Sequence, residues 1–402
     1  MRKPSLVVVS PLPPAWSGIA RYTAQLLPHL VESWKVSVVV GDGEPVDPMI
    51  GPEIGVDVIH APSWKWFEQI TDHDRIVHCL GNSQFHRHVP AMVARHGGVV
   101  LAHEVRMNGL QCLRALQSPD PHWLSSMVRE WCGDDLGREI RALEDDGGIA
   151  QQFHPIRKRL DSADAYLFGP AVVGADAIAV HSGYAATLAD AEVASSAKVA
   201  VVPFGHPPAS GERGVVDHGE VITTFGFVAP EKHAALLLEA FGVLAADRPT
   251  ARLRYAGHVG DPERLELVER ARDLRIEDRV TFTGRLTEHD YANELAGATI
   301  AVQLRASANG EASAAIADCL SHGIPTLVTR LGAQGELPND AVEMVSASAD
   351  SKEIAAAMSG MLVDATKRRE MAAAARRHAT TSSFASAASA LSELLLSAPP
   401  TR

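Results

Sequence analysis

The sequence contains no CxxC pair, no long hydrophobic run and no excess of basic residues, and each of these absences excludes a class of protein. Its cysteines are scattered without zinc-like spacing: Cys79, Cys112, Cys132 and Cys319. We therefore expect neither a disulfide framework nor a metal knuckle, and we predict a protein without a metal ion or cofactor. Inert or buried thiols in a reducing compartment fit this pattern.

The charge balance excludes a simple polyanion binder. The chain has 37 lysines and arginines against 49 aspartates and glutamates, a formal net charge of −12. Such a chain repels nucleic acid unless its basic residues are strongly segregated. We predict no nucleic-acid partner.

Apolar runs are short throughout. The run Leu6–Val9 is briefer than a signal-peptide core, and no later stretch approaches the roughly 20 apolar residues of a spanning helix. We therefore expect a cytoplasmic protein. The Ala-rich helical pattern over 352–397 carries basic clusters at 367–369 and 376–378, which could lie on the inner face of an anionic membrane or simply form a solvated helix face.

Short β-branched runs alternate with longer helical patterns along both halves of the chain. The first half has them at residues 6–9, 36–40, 56–60, 75–79, 99–103 and 177–181, and the second half at 221–225, 252–256, 280–283, 300–304 and 325–328. This alternation is typical of a parallel sheet covered by helices on both faces. It predicts two Rossmann-like, doubly wound α/β domains.

A chain of 402 residues exceeds what one hydrophobic core usually organises, so two domains with a cleft are expected. A loop rich in Pro and Gly over 203–208, followed by a polar linker at 211–219, marks the boundary. We predict a first domain over 1–207, a second over 208–382, and a C-terminal helix and tail over 383–402 that return to the first domain. Residues 104–174, with helical stretches such as 123–132 and 136–143, form an elaboration of the first domain.

Two strand ends of the first half carry candidate ligands. Ser17 and Gly18 open a helix after the first strand, where amides can receive an anion and glycine permits close approach, although an ordinary tight turn would look similar. His103 and Glu104 follow a later strand, at the sheet edge where ligands bind in such folds. His103 could position a sugar hydroxyl or be a structural histidine.

In the second half, Phe225 to Lys232 forms a strand–loop–helix junction with a lysine at the predicted helix start. A cation lies unfavourably with the helix dipole there unless an anion also binds. Lys232 is therefore a candidate diphosphate ligand, with a solvated lysine as the alternative.

The segment Asn309–Pro325 carries the most specific pattern. Asn309 and Gly310 predict a tight turn, small residues begin a helix, and Gly323 ends it. Glu311 and Asp318 are seven residues apart, which predicts that both project from one helix face. Glu311, near the helix start, could bind a sugar hydroxyl, and Asp318 could accept the two hydroxyls of a ribose. In the alternative without a ligand, Glu311 is a first-turn acid favoured by the helix dipole and Asp318 is an exposed residue.

Together these segments resemble the retaining glycosyltransferases of family 4, which have the GT-B architecture of two facing Rossmann-like domains with a C-terminal crossover helix. The resemblance covers nearly the whole chain and is weakest over about 105–165. It implies that Gly18 approaches the donor diphosphate, that His103 contacts the transferred sugar, and that Lys232 binds the diphosphate. Gly284 and Arg285 would frame the nucleotide base.

This chain departs from the family pattern at two positions. Phe227 stands where the family has an arginine five residues before the lysine. The family's paired acids align with Gly310 and Asp318, so Glu311 would take the first role with a shifted backbone.

The resemblance implies transfer of a hexose from a nucleoside diphosphate sugar to an acceptor hydroxyl with retention of configuration, in the synthesis of a cell-surface polysaccharide or other glycan. The acceptor would be a glycan, a lipid-linked precursor or a small molecule. We assign catalysis to His103, Lys232 and Glu311. The donor-binding set is predicted as Gly18, Lys232, Gly284, Arg285, Asn309, Gly310, Glu311, Ala312, Ser313 and Asp318, and the acceptor-binding set as Asn82, Glu104 and Arg106.

Several alternatives stay open at this point. The chain could be a non-catalytic nucleotide-sugar-binding subunit, a natural-product glycosyltransferase, or an epimerase or phosphorylase on the same fold. A dinucleotide dehydrogenase is disfavoured because no full GxGxxG follows a strand with an acid beyond it.

Overall fold

A computed structural model describes residues 2–60, 73–193, 197–208 and 219–400, so most of the linker predicted at 211–219 lies outside the described residues. The chain divides into two compact units. The first consists of Met1–Phe204, Asn309–Ala312 and Phe384–Arg402, and the second of Gly205–Ala308 and Ser313–Ser383. The predicted second domain, 208–382, includes residues 309–312, which the structure groups with the first unit.

The first unit is built on a parallel sheet of seven strands in the order β3-β2-β1-β4-β5-β6-β7. The strands are β1 Ser5–Val9, β2 Lys35–Val40, β3 Asp57–His60, β4 Arg75–Leu80, β5 Val99–Ala102, β6 Ala177–Val180 and β7 Lys198–Val201. The strands β5 and β6 are buried along their whole length, which explains their continuous Val, Ile, Leu and Ala content. Parallel pairing places the carboxyl ends of β1, β4, β5 and β6 at one edge.

Helices cover both faces of this sheet. The helices of the first unit before its last one are Gly18–Leu30, Ile50–Ile54, Val89–His96, Asn108–Ala115, Trp123–Cys132, Asp134–Asp145, Gly148–Gln151, Phe153–Ser162, Gly169–Val172 and Gly183–Glu192. The helices between 123 and 162 have an apolar core of their own, which includes Leu124, Ile140 and Leu160. The elaboration predicted in this region is therefore a packed helical subdomain of the first unit.

The second unit has a parallel sheet of six strands in the order β10-β9-β8-β11-β12-β13. The strands are β8 Val221–Phe225, β9 Arg252–Ala256, β10 Val280–Phe282, β11 Ile300–Gln303, β12 Thr326–Thr329 and β13 Val342–Val345. Its helices are Ala234–Asp247, Asp261–Asp273, Glu288–Gly297, Ala314–Ser321, Ser351–Val363 and Ala365–Thr381. Each unit is thus a doubly wound α/β sheet, as predicted.

The last helix, Phe384–Ser397, returns to the first unit. Its Leu391 and Leu395 are buried in the core that contains Trp34, and each contributes about 1.5–3 kcal/mol by leaving water. Two directed hydrogen bonds fix the helix: the Trp34 indole donates to the Ser392 hydroxyl at 3.0 Å, and Arg75 Nε donates to the Leu395 carbonyl at 2.7 Å. The predicted crossover helix is therefore present.

The basic clusters near the C-terminus are tied to their own unit. Lys367 forms an ion pair with Glu343 at 2.6 Å, and Arg377 lies 3.5 Å from Asp340. Arg368 donates to the Met361 carbonyl at 2.8 Å, where it satisfies the end of a helix. These contacts hold Lys367, Arg368 and Arg377 against their own unit. Peripheral membrane contact stays a prediction. Within the described ranges, every helix is too short or too polar to span a membrane.

Candidate active site

In the second unit, Lys232 and Gly226 converge at the carboxyl end of β8. Gly226 has a φ of +91°, and a Cβ atom placed there would lie 3.1 Å from the Lys232 Nζ atom. The glycine therefore makes room for the ammonium group. Lys232 lies in a short 3-10 turn, Pro230–Lys232, and the α-helix begins at Ala234. The prediction that the lysine starts the helix is wrong. Lys232 ends the 3-10 turn, and His233, in a left-handed conformation, separates this turn from the helix.

The helix Ala314–Ser321 points its N-terminus toward the same place. The Ser313 side chain caps it by accepting a hydrogen bond from the Ile316 amide at 3.4 Å. The Ala315 Cβ lies 3.8 Å from the position of a Cβ at Gly226. A lysine cation and the positive end of a helix dipole thus meet at one glycine, an arrangement that attracts an anion.

Neighbouring loops of this unit pack backbone against backbone. A Cβ at Gly257 would lie 1.9 Å from the Gly226 carbonyl oxygen, so only glycine fits at the end of β9. The Thr283 hydroxyl accepts from the Gly257 amide at 3.1 Å and donates to the Gly284 carbonyl at 3.0 Å. Gly284 has a φ of +69°, and the Cβ position there has no neighbour within 4 Å among the described residues. The loop of Gly284 and Arg285 is therefore joined to the Gly226 site.

Asp318 and Glu311 do not share a helix face, which corrects the prediction from their spacing. The helix begins at Ala314, because Ser313 provides the cap, and Glu311 lies in the preceding loop. Asp318 is 4% exposed, and the Tyr291 hydroxyl donates to its Oδ2 at 3.0 Å. Tyr291 was not identified from the sequence, since nothing local links it to Asp318.

The segment Asn309–Ala312 is held by the first unit. The Val105 amide donates to the Asn309 carbonyl at 2.7 Å, and a Cβ at Gly310 would lie 2.8 Å from Val105 Cγ2. Gly310 also has a φ of +85°, so both space and conformation require glycine there. The Glu311 carboxylate accepts from the Asn309 amide at 2.6 Å and closes the loop.

Arg106 binds the Asn309 side chain of this loop. Its Nε donates to the Asn309 side-chain oxygen at 2.9 Å, and its other nitrogens pair with Asp161 at 3.3 Å and Asp164 at 3.1 Å. The guanidinium also stacks over the Tyr166 ring at 4.3 Å. Arg106 therefore positions Asn309 and is itself held by Asp161 and Asp164. Its predicted binding of the acceptor stays a prediction.

Asn82 and Glu104, the other predicted acceptor ligands, also make structural contacts. Asn82 Oδ1 accepts from the Leu110 amide at 2.6 Å, and the Asn82 amide donates to Glu104 at 2.8 Å. These bonds fix the start of the helix Asn108–Ala115 at the end of β4 and β5. Acceptor binding by these residues stays a prediction.

Near the start of the first unit, Gly18 begins the helix Gly18–Leu30 with Ser17 as its cap. The Ser17 hydroxyl accepts from the Ile19 amide at 3.2 Å. A Cβ atom placed at Gly18 would have no neighbour within 4 Å among the described residues. The predicted approach of a ligand to this helix start is therefore sterically allowed.

His103 lies beside a second histidine that the sequence did not single out. It directly follows β5, and His181 directly follows the adjacent strand β6. His103 Nδ1 and His181 Nε2 are 3.2 Å apart, and both side chains are buried. Burial lowers the pKa of His103 well below its ordinary value and that of His181 to about 4. Both rings are therefore neutral near pH 7. Adjacent strands that each end in histidine were the signal that could have revealed the pair.

The described residues contain no cluster of His, Cys, Asp and Glu that could hold a metal ion. Function without a metal stays a prediction, as does the absence of a cofactor.

Comparison with known proteins finds a family match within the second half of the chain. Residues 210–378 match the family Glycosyl transferases group 1. Mannosylfructose-phosphate synthase of Agrobacterium fabrum is 32% identical over 117 residues, which are 28% of this chain and 25% of that relative. The match thus spans about a quarter of the relative's length.

Two solved structures resemble nearly the whole chain. Sucrose-phosphate synthase of Thermosynechococcus elongatus has a TM-score of 0.66 at 14% identity and covers 98% of each chain. Anabaena HepE in complex with UDP has a TM-score of 0.63 at 15% identity, covering 98% of this chain and 100% of that one. At these identities the likeness shows the fold, and it confirms the predicted GT-B class.

Proposed function

Because residues 210–378 match the family Glycosyl transferases group 1, we propose that the chain transfers a hexose from a nucleoside diphosphate sugar to an acceptor hydroxyl with retention of configuration. The observation that carries the proposal is the convergence of the Lys232 ammonium and the N-terminus of the helix Ala314–Ser321 at Gly226. A diphosphate carries the charge that this arrangement attracts. HepE was solved in complex with UDP, which supports a UDP-sugar as the first donor to test.

Charge development accounts for the proposed chemistry. As the bond between sugar and phosphate lengthens, negative charge grows on the departing diphosphate, and Lys232 with the first-turn amides of the helix stabilises it. The departing phosphate takes the proton of the acceptor hydroxyl, and the acceptor attacks from the face that the phosphate leaves. That step retains configuration and needs no separate strong base.

The remaining residues take supporting roles in this proposal. His103 is neutral and accepts a hydrogen bond from a hydroxyl of the transferred sugar, and Glu311 contacts the sugar from the Asn309–Ala312 loop. Asp318 with Tyr291 lies on the ribose side, and Gly284 and Arg285 lie on the base side. We propose a polysaccharide or its lipid-linked precursor as the acceptor and the cytoplasm as the location.

One observation favours a second candidate, a nucleotide-sugar-binding subunit without catalysis. Phe227 stands where the family resemblance expects a phosphate-binding arginine. Its side chain is 53% exposed and packs on the His258 ring at 5.3 Å. This exchange removes one cation from the proposed diphosphate site and would weaken stabilisation of the departing group.

A donor screen tests the proposed binding function. We expect one of UDP-, GDP-, dTDP- or ADP-glucose, at about 100 times its Kd, to raise the melting temperature of the second unit by roughly 5–10 °C, since such binding adds about 2.7 kcal/mol. The measurement is a thermal-shift assay with the full chain. A melting temperature that none of the four donors changes would contradict the donor assignment.

A further inference from the structure

A line of hydrogen bonds runs from the Val202 carbonyl through two histidines. His181 Nδ1 lies 3.2 Å from the Val202 oxygen, and His181 Nε2 lies 3.2 Å from His103 Nδ1. The sequence separates the two histidines by 78 positions, and adjacent strands bring them together. Both contacts are buried.

The direction of these hydrogen bonds is determined by chemistry. A carbonyl oxygen can only accept, so His181 Nδ1 must carry the hydrogen. Burial keeps His181 neutral near pH 7, since its pKa is lowered to about 4, and its Nε2 is therefore a lone-pair acceptor. His103 Nδ1 must then donate, and in a neutral His103 ring the remaining nitrogen, Nε2, carries a lone pair.

That second nitrogen of His103 is the unusual atom. His103 Nε2 is buried and has no hydrogen-bond partner within the described part of the chain. An acceptor that stays unpaired away from water costs free energy, which a donor hydroxyl arriving with a ligand would recover.

Aromatic rings hold the two imidazoles in place. Tyr22 contacts the His103 ring edge-on at 4.8 Å and the His181 ring at 5.4 Å, and Phe204 lies edge-on to His181 at 5.1 Å. Phe384, the first residue of the last helix, packs on Tyr22 at 5.0 Å. Such packing restricts ring rotation, so the hydrogen-bond direction is maintained.

We propose that His181 is a positioning residue that holds His103 in the tautomer with hydrogen on Nδ1, and so presents the Nε2 lone pair to a hydroxyl of the transferred sugar. The contact with a sugar rests on the proposed function, whereas the tautomer does not. A purely structural pair would show the same tautomer, but replacing His181 would then leave sugar transfer unchanged.

The test uses the full chain labelled with ¹⁵N and long-range ¹H–¹⁵N spectra, with His103 assigned by its loss in a His103→Gln variant. We expect His103 of the wild type to be neutral at pH 7 with hydrogen on Nδ1. His181→Gln can offer an acceptor oxygen near the same place and should keep this tautomer. His181→Phe preserves the ring but removes the acceptor, and should move the His103 hydrogen to Nε2. His154→Gln, a change at an exposed histidine, is the control.

Kinetics then test the sugar contact. We expect His181→Phe to lower kcat/KM for the donor sugar by about tenfold, the loss of one ordinary hydrogen bond, while the Kd for the nucleoside diphosphate stays unchanged. His181→Gln should restore most of the rate. An unchanged kcat/KM in His181→Phe would overturn the sugar contact.

A wild-type His103 with hydrogen on Nε2, or a tautomer that His181→Phe leaves unchanged, would overturn the positioning role. These spectra need no transfer activity. The predicted tautomer together with an absence of transfer from every donor would therefore refute the proposed function and leave the tautomer assignment in place.

Discussion

Replacing Lys232 with alanine is expected to lower the rate of sugar transfer by about 10²–10³-fold, comparable to removing one preorganised donor from an oxyanion site. The ammonium group lies beside Gly226 and the N-terminus of the helix Ala314–Ser321, where the proposed reaction develops charge on the departing diphosphate. Because charge grows during the reaction, kcat should fall more than donor affinity. Steady-state release of nucleoside diphosphate, measured over a range of donor concentrations, separates the two.

Lys352→Ala provides the matched control for this prediction. Lys352 is exposed in the first turn of the helix Ser351–Val363 of the same unit, and its removal changes the net charge equally. We expect wild-type kinetics from it. A Lys232→Ala rate within a factor of two of the Lys352→Ala rate would remove Lys232 from the proposed mechanism.

On acidification, the first unit should unfold at a higher pH than protonation of its carboxylates alone would require. Burial lowers the pKa of His78 and His86 to about 3 and that of His181 to about 4. In the unfolded chain these groups titrate near their ordinary value of about 6.5, so the unfolded state binds more protons between these values. Their stabilising contribution is therefore complete above pH 6.5 and is lost as the pH falls toward their folded-state pKa values of about 3 to 4.

Three such histidines make the free energy of unfolding fall by about 4 kcal/mol per pH unit near pH 5, at about 1.4 kcal/mol each. Urea unfolding at successive pH values, followed by tryptophan fluorescence, measures this slope. All 6 tryptophans precede residue 132, so the signal reports on the first unit. A slope below about 1 kcal/mol per unit would contradict the prediction.

Replacing His86 measures how much this residue contributes to the pH dependence of the free energy of unfolding. His86 Nδ1 contacts the Cys79 carbonyl at 3.0 Å, and an asparagine amide can donate in its place without titrating. His86→Asn should therefore reduce the slope by about 1.4 kcal/mol per pH unit. His154→Asn, at an exposed position, should leave the slope as it is.

The sheets could be predicted from sequence wherever both faces of a strand are buried. Runs such as Val99–Ala102 and Ile300–Gln303 are apolar along their length because helices cover them on both sides. The strands Lys198–Val201 and Val342–Val345 were missed. Each lies at the edge of its sheet and is only partly buried, so it lacks a continuous apolar run.

Candidate site residues could be predicted where neighbouring residues place them, and could not where contacts with distant residues do. Lys232 could be proposed from the sequence because the junction that places it beside Gly226 is local. The position of Glu311 could not, since the Ser313 cap decides where the helix begins and Val105 holds the preceding loop. Arg106 depends on Asp161, 55 residues away, and His181 on His103, 78 residues away, which a pattern of neighbouring residues does not reveal.

Product analysis tests the central proposal most directly. The full chain is incubated with the donor that raises its melting temperature and with a panel of alkyl glycosides, and the products are followed by ³¹P and ¹H NMR. We predict release of nucleoside diphosphate together with a new glycoside whose anomeric coupling matches that of the donor. An epimerised donor, a free sugar 1-phosphate, or a donor that binds but is never consumed would contradict the assignment as a glycosyltransferase.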